Sequence, residues 1–333
     1  MKRRITKRLL VFFLKFGLAA GVLFWLVWTR RLNLASFRVF LSGARPAVLA
    51  PTGALAVLLG QLLLAVRLRM LLKTQGLTVS YRRSAGLTLI GSLLGVALPG
   101  LIGGDAVKSL YLFADAPYSR SRALAAVMID RVIGLYSLLL LGSLTAGGVW
   151  IAGYLPLDSP ALWAAPLVTA TATLVIVAGW FATVRRKQPP AEGAPPKSGK
   201  LLNLLEALGH SLKRPRILAA AVGLSLLNHL LVILTFLAAA LLIGVDLPIG
   251  SHFLLAPPAM VLNAVPLTPG GLGITEGGFS LLYETVGSSN GAEIGLLGRA
   301  IQYAAFAAGG SIAVLAVRFR RGLTAPQAAS TGL

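Results

Sequence analysis

Long apolar blocks divide this chain of 333 residues, and that feature removes most of the folds open to it. Blocks at about 9–28, 47–72, 123–150, 160–184, 216–243 and 292–317 each approach or exceed the roughly 20 residues that carry a helix across about 30 Å of hydrocarbon. Their apolar positions form neither a helical stripe nor a strict alternation, so no water-facing side is specified. Hydrophobic residues make up 56% of the chain and charged residues 12%, which argues against a soluble fold. The blocks are too long, and too rich in Leu and Ala, for barrel strands of about 10 alternating residues. The sequence therefore specifies an all-α, polytopic integral membrane protein. The first block follows Lys2, Arg3, Arg4, Lys7 and Arg8, as a signal peptide would, but it is long for one and no small-residue cleavage site follows. It reads as a retained helix, with Lys15 snorkelling and Trp25 and Trp28 anchored at the outer interface.

Two further apolar stretches, about 84–112 and 252–285, are interrupted midway. ALPGLIGGDAVK in the first places Pro99, Gly100, Gly103, Gly104 and Asp105 at its centre, leaving arms of about 15 and 10 residues, too short to cross separately. VPLTPGGLGITEGG in the second breaks at Pro266, Pro269, Gly270, Gly271 and Gly273. Both read as re-entrant helical hairpins that enter and leave on one side. With the N-terminus cytoplasmic, this topology puts 23 of the 31 basic residues at cytoplasmic loops and helix ends, including five between 67 and 83. Arg30, Arg31, Arg38 and Arg45 lie outside, and Lys15, Lys108, Arg131 and Arg299 fall within apolar segments. The positive-inside rule is strongly satisfied. A full crossing by exactly one hairpin would weaken or reverse the bias, whereas crossing by every arm, giving eight spans, would preserve it.

The chain thus reads as two halves, 1–159 and 160–321, followed by a disordered tail at 322–333. Each half runs helix, helix, hairpin, helix, and the two start on opposite sides of the membrane. The second half contains a flexible cytoplasmic loop at 185–215, rich in Pro, Gly and Lys at its start. This is the layout of an inverted repeat. In the first half Gly103-Gly104-Asp105 precedes Asp130-Arg131 in the next helix; in the second, Pro269-Gly270-Gly271 precedes Glu276, and Arg299 follows. Transporters built in this way bring a broken helix from each half to a midplane site, where helix N-termini meet anionic groups.

A charge at mid-bilayer costs about 3 kcal/mol or more, so an ionisable residue there is a functional candidate needing a cavity or a partner. Asp105, Lys108, Asp130, Arg131, Glu276 and Arg299 are the candidate substrate-binding residues, with Pro99, Gly103, Gly104, Pro269, Gly270, Gly271 and Gly273 shaping the hairpin loops. The competing reading is structural: Asp105 and Glu276 cap the second arms, Arg131 pairs with Asp105 or Asp130, and Arg299 pairs with Glu276. Arg131 and Arg299 suit an anionic headgroup, because a guanidinium is always charged and can hold phosphate through two parallel hydrogen bonds. GGLGITEGG lacks the Gly-Lys-Ser/Thr ending of a nucleotide loop and follows no strand.

His210, His229 and His252 have no metal spacing, and Asn228-His229 reads as glue between helices. No cysteine is present, and no metalloprotease helix, serine elbow or pair of carboxylates on one helical face, so hydrolytic and metal catalysis lack support. No cofactor is implied. The net charge of +21 would suggest nucleic acid for a soluble protein, but these Lys and Arg lie mostly between apolar blocks and read as topology and contact with anionic headgroups.

At LPGLIGGDAVKSLYL with MIDRVIGL (Leu98 to Leu112 and Met128 to Leu135), at VPLTPGGLGITEG with downstream Arg299, and at RLRMLLKTQG (Arg67 to Gly76), the chain resembles the lysylphosphatidylglycerol synthase transmembrane-region family. The resemblance covers most of the chain. Members resemble the N-terminal flippase domain of the bacterial enzyme that lysylates phosphatidylglycerol, and others accompany glycolipid, polyprenyl-sugar or hopanoid pathways. It implies a multi-pass protein of the bacterial cytoplasmic (inner) membrane with both termini cytoplasmic, handling anionic, aminoacylated or glycosylated lipids. Only about a dozen residues follow Arg321, just past the last apolar block, leaving no room for an aminoacyl-transferase domain, so the expectation is translocation without enzymatic synthesis. The alternative is a non-transporting lipid-binding subunit serving a glycosyltransferase or lipid synthase. A homo-oligomer is compatible with either reading, and an intramembrane enzyme would need a nucleophile or base that the sequence does not offer.

Overall fold

The computed structural model describes residues 2–29, 31–32, 46–97, 103–115, 120–154, 158, 160–185, 211, 213–262 and 268–316. Among them are ten α-helices and no strand: α1 (Lys2–Trp28), α2 (Pro46–Thr74), α3 (Tyr81–Ala97), α4 (Gly103–Asp115), α5 (Arg120–Ile151), α6 (Pro160–Arg185), α7 (Pro215–Leu242), α8 (Ile249–Val261), α9 (Ile274–Glu284) and α10 (Gly291–Ala316). The six unbroken apolar blocks coincide with α1, α2, α5, α6, α7 and α10. Three of these, over Ala47–Thr74, Arg120–Ile151 and Pro215–Leu242, are long and apolar enough within the described residues to cross a membrane. Helix α1 starts seven residues before its apolar block, because Lys and Arg are good helix formers and nothing before Leu9 breaks the turn.

The interrupted stretches fold as helix, break, helix. Their arms have 17 and 13 residues in α3 and α4, and 13 and 11 in α8 and α9. At 1.5 Å per residue these are about 25, 20, 20 and 16 Å long, each short of about 30 Å of hydrocarbon. Pro99 and Gly100 at the first break, and Pro266 at the second, lie outside the described residues, as do most of the 185–215 loop and the tail. The second break also carries a 3-10 turn, Pro269–Gly271.

Helices α2 and α7 form the centre and run antiparallel. Thr74 Oγ1 at the end of α2 lies 2.8 Å from Ser211 Oγ just before α7, and Thr235 Oγ1 late in α7 donates to the Gly53 carbonyl early in α2 at 3.3 Å. Around this pair the contacts are reciprocal. Helix α3 packs on α10 and α8 on α5; α2 packs on α5 and α7 on α10; α5 packs on α7 and α10 on α2. The first hairpin opens beside the end of α2, the second beside the end of α7, so their open ends lie at opposite ends of the bundle.

The largest apolar cluster among the described residues joins α5, α7, α8, α9 and α10, with the Phe236 and Phe279 ring centroids 4.6 Å apart. Outward-facing positions are apolar too: Leu174 is 75% exposed and Leu315 84%. Water would penalise such a surface at about 25 cal/mol per Å², whereas lipid tails would not. The two ends differ in charge balance. Arg69, Lys73, Arg82, Arg83, Arg120, Arg122, Lys213, Arg214 and Arg216 sit where the first hairpin opens, against Asp115 at the end of α4; Asp158, Asp246, Glu284 and Glu293 sit where the second does, against Arg31, whose NH1 is 2.9 Å from Glu284 Oε1.

Candidate functional site

Each hairpin carries a charged cluster near its tip. In the first, glycines let the arms meet: a Cβ on Gly104 would run into the Gly91 carbonyl, and one on Gly91 would lie 2.6 Å from Lys108 Cε. Asp105 therefore enters the first turn of α4 close against α3, with Lys108 one turn further on. Lys108 Nζ is 3.1 Å from Asp105 Oδ1, and Arg131 of α5 reaches Asp105 Oδ2 at 3.4 Å. Asp130 and Arg131 are adjacent on a helix and so point about 100° apart. Asp130 turns inward, where its Oδ1 accepts from Arg67 Nε at 2.7 Å while its Oδ2 stands 3.9 Å from Lys108 Nζ. Arg67 also donates to Ser225 Oγ of α7 at 2.6 Å. The side chains of Arg67 and Asp130 are 6% and 5% exposed; Arg131, by contrast, is 38% exposed.

In the second hairpin the chain turns through Gly270, Gly271 and Gly273, all at positive φ, with Gly273 at +84°. That conformation is open to Gly at little steric cost. It aims the Gly273 N–H at Glu276 Oε2, 2.6 Å away, so the carboxylate closes the N-terminus of α9. Arg299 Nε of α10 lies 3.1 Å from Glu276 Oε1, and its NH1 donates to the Gly270 carbonyl. Glu276 has no solvent exposure and the Arg299 side chain has 8%. Helix α1 flanks this tip, since a Cβ on Gly273 would lie 2.8 Å from Val22 Cβ.

The structure thus gathers the six charged candidates into two clusters, Asp105, Lys108, Asp130 and Arg131 in one and Glu276 and Arg299 in the other. The pairs Arg131 with Asp105 and Arg299 with Glu276 both form, and Glu276 acts as a cap. The sequence leaves Asp105 and Asp130 open as partners of Arg131, and Asp105 is the one that pairs. Asp130 instead meets Arg67, a member of the basic group at 67–83 near the end of α2, which α5 and α7 bury. The available signal was that Arg67 lies inside the 47–72 apolar block. Of the loop residues, Gly103 and Gly104 open α4, Pro269, Gly270, Gly271 and Gly273 form the second turn, and Pro99 lies outside the described residues.

Of the Asn228-His229 pair, His229 joins two helices: its ring N–H donates to the Gly134 carbonyl of α5 at 3.2 Å, while Gly60 makes room for Asn228, whose Oδ1 is buried without a hydrogen-bond partner among the described residues. His252 Nδ1 and Tyr283 Oη lie 2.9 Å apart, tying the open end of the second hairpin. No group of His and acidic side chains able to hold a metal ion occurs among the described residues.

The ten helices among the described residues, with their apolar outer faces and charged clusters packed between helices, define a multi-pass α-helical membrane protein. The chain belongs to the lysylphosphatidylglycerol synthase TM region family, whose model matches residues 12–310, a membrane region linked to lipid handling. No curated protein and no solved structure matches it significantly.

Proposed function

We propose that this protein is a lipid translocase, a flippase or scramblase that moves an anionic, aminoacylated or glycosylated lipid between leaflets of a bacterial inner membrane without covalent chemistry. The observation that carries the reading is the pair of charge-bearing broken helices that open at opposite ends of the bundle. Family membership and the reciprocal helix contacts support it. In this reading α1, α2, α5, α6, α7 and α10 span, the two hairpins are re-entrant, and the halves form an inverted repeat with cytoplasmic termini. The headgroup is handled at the hairpin tips by Asp105, Lys108, Asp130, Arg131, Glu276 and Arg299, while the acyl chains stay in lipid. Half-helix N-termini facing a midplane site suit anionic groups, and rocking of one half against the other would alternate access.

The test is reconstitution of the full chain into vesicles containing fluorescently labelled phosphatidylglycerol and, separately, a labelled glycolipid. Exchange between leaflets, read by quenching of the outer label, accelerates over empty vesicles and loses that acceleration in Arg131→Ala. Vesicles with protein that exchange no candidate lipid faster than empty ones would remove the translocase reading.

A further inference from the structure

The two hairpin tips differ in charge balance, and a residue outside both hairpins sets the difference. At the second tip one cation, Arg299, meets one acid, Glu276: Oε1 lies in ion-pair contact with Arg299, without a hydrogen bond, and Oε2 accepts the Gly273 N–H. At the first tip Arg67 of α2 claims Asp130 at 2.7 Å and is itself held by Ser225. Asp105 faces both Lys108 and Arg131, and the second Asp130 oxygen stands 3.9 Å from Lys108, so three cations, Arg67, Lys108 and Arg131, meet two acids. The first tip therefore holds one more cation than acids.

Arg131 is where that surplus is accessible. Among the described residues its partner is one carboxylate oxygen at 3.4 Å, and its side chain is 38% exposed, whereas Asp105 and Lys108 are 16% and 12% exposed. A guanidinium has five N–H donors in a fixed plane, so most of its hydrogen-bonding capacity points away from Asp105. Its natural complement is a pair of phosphate oxygens. One surplus cation balances a singly charged diester; a doubly charged monoester would leave one charge uncompensated in a medium of low dielectric.

We propose that the first hairpin tip binds a phosphate diester, of a lipid headgroup or of a soluble molecule, through Arg131 and Lys108, and that Arg67 is the positioning residue that sets its charge. The lipid identity of the ligand rests on the translocase reading; the charge balance does not. Arg67 is buried and touches no ligand. Its role is to occupy Asp130, whose second oxygen is already 3.9 Å from Lys108 Nζ. Without Arg67, Asp130 competes for Lys108, the tip becomes neutral, and a diester must displace a carboxylate from each cation it uses.

The experiment measures phosphatidylglycerol binding to the full chain in phosphatidylcholine nanodiscs by native mass spectrometry, with thermal unfolding of every variant. Wild type binds phosphatidylglycerol in preference to phosphatidic acid. Arg131→Gln lowers its affinity about tenfold or more, the factor expected for one charge-assisted hydrogen bond. Arg67→Gln lowers it comparably, and Arg67→Gln with Asp130→Asn restores it by returning the tip to one surplus cation. Affinity unchanged in Arg67→Gln, or not restored in the double variant, overturns the proposal. If Arg67→Gln does not fold, Asp105→Asn decides: a second surplus cation must tighten binding, and unchanged or weaker binding overturns it. Competition by glycerophosphoglycerol shows that a soluble diester suffices, and retained lipid binding without competition assigns the site to a lipid headgroup. Charge-dependent binding without lipid movement would end the translocase reading and leave this one standing.

Discussion

Arg299 Nε stands 3.1 Å from Glu276 Oε1, and the other oxygen of that fully buried carboxylate accepts the Gly273 N–H. One side chain thus neutralises a charge, closes a helix N-terminus and ties α10 to the tip of the second hairpin. Removing a single partner from a buried pair costs about 3–5 kcal/mol because the other charge stays unpaired. Arg299→Ala should lower the thermal midpoint strongly, and Arg299→Met with Glu276→Leu should recover most of the loss. Fluorescence-detected size-exclusion after heating reads both; a double variant no better than the single one would show that the pair does more than cancel charge.

Arg131 should behave oppositely. Its pair with Asp105 is longer, at 3.4 Å, and its side chain is 38% exposed, so removing it should cost about 1 kcal/mol or less in stability. Arg131→Gln is expected to keep a midpoint close to wild type while losing lipid exchange in vesicles. A large fall in midpoint would make Arg131 a strut like Arg299.

Gly104 and Gly95 offer a matched pair. A Cβ at Gly104 would meet the backbone carbonyl of Gly91, which cannot move without shifting α3, whereas one at Gly95 would sit 3.7 Å from Gly104 Cα. Gly104→Ala should cost about 1–3 kcal/mol by overpacking, and Gly95→Ala should be nearly neutral. Unfolding midpoints in detergent check the contrast, which disappears if the arms separate freely.

The chain has no cysteine, so single cysteines report topology directly. Ser80 and Arg120, which flank the first hairpin, and Asp246 and Ser289, which flank the second, are all exposed. Substituted one at a time in cells, Ser80→Cys and Arg120→Cys should react with an impermeant maleimide only after permeabilisation, and Asp246→Cys and Ser289→Cys in intact cells. Labelling of Ser80→Cys and Arg120→Cys on opposite sides would mean that the first hairpin crosses.

Hydropathy is a local property, so helix positions were legible in the sequence. Each apolar block became one helix, and both Gly/Pro-interrupted stretches became paired short arms. The clustering of charges was legible in part. Spacings of 26 and 23 residues put an acid at each hairpin tip and an arginine in the next helix, which suggests Glu276 with Arg299 but leaves Arg131 between Asp105 and Asp130. Arg67 did not follow. Its place inside the 47–72 apolar block hints at burial, but its partners lie 63 residues away at Asp130 and 158 away at Ser225, and nothing local names partners so distant.

By itself the sequence determined that this chain is helical and membrane-embedded, and where its helices break, because apolar length and Gly or Pro content act within one segment. Tertiary packing alone decided which charges are spent on each other. The antiparallel approach of α2 and α7 carries Arg67 between Asp130 and Ser225, and the Gly91–Gly104 contact brings Lys108 within reach of both acids. Only that assembly in three dimensions makes one hairpin tip neutral and leaves the other with a cation to offer.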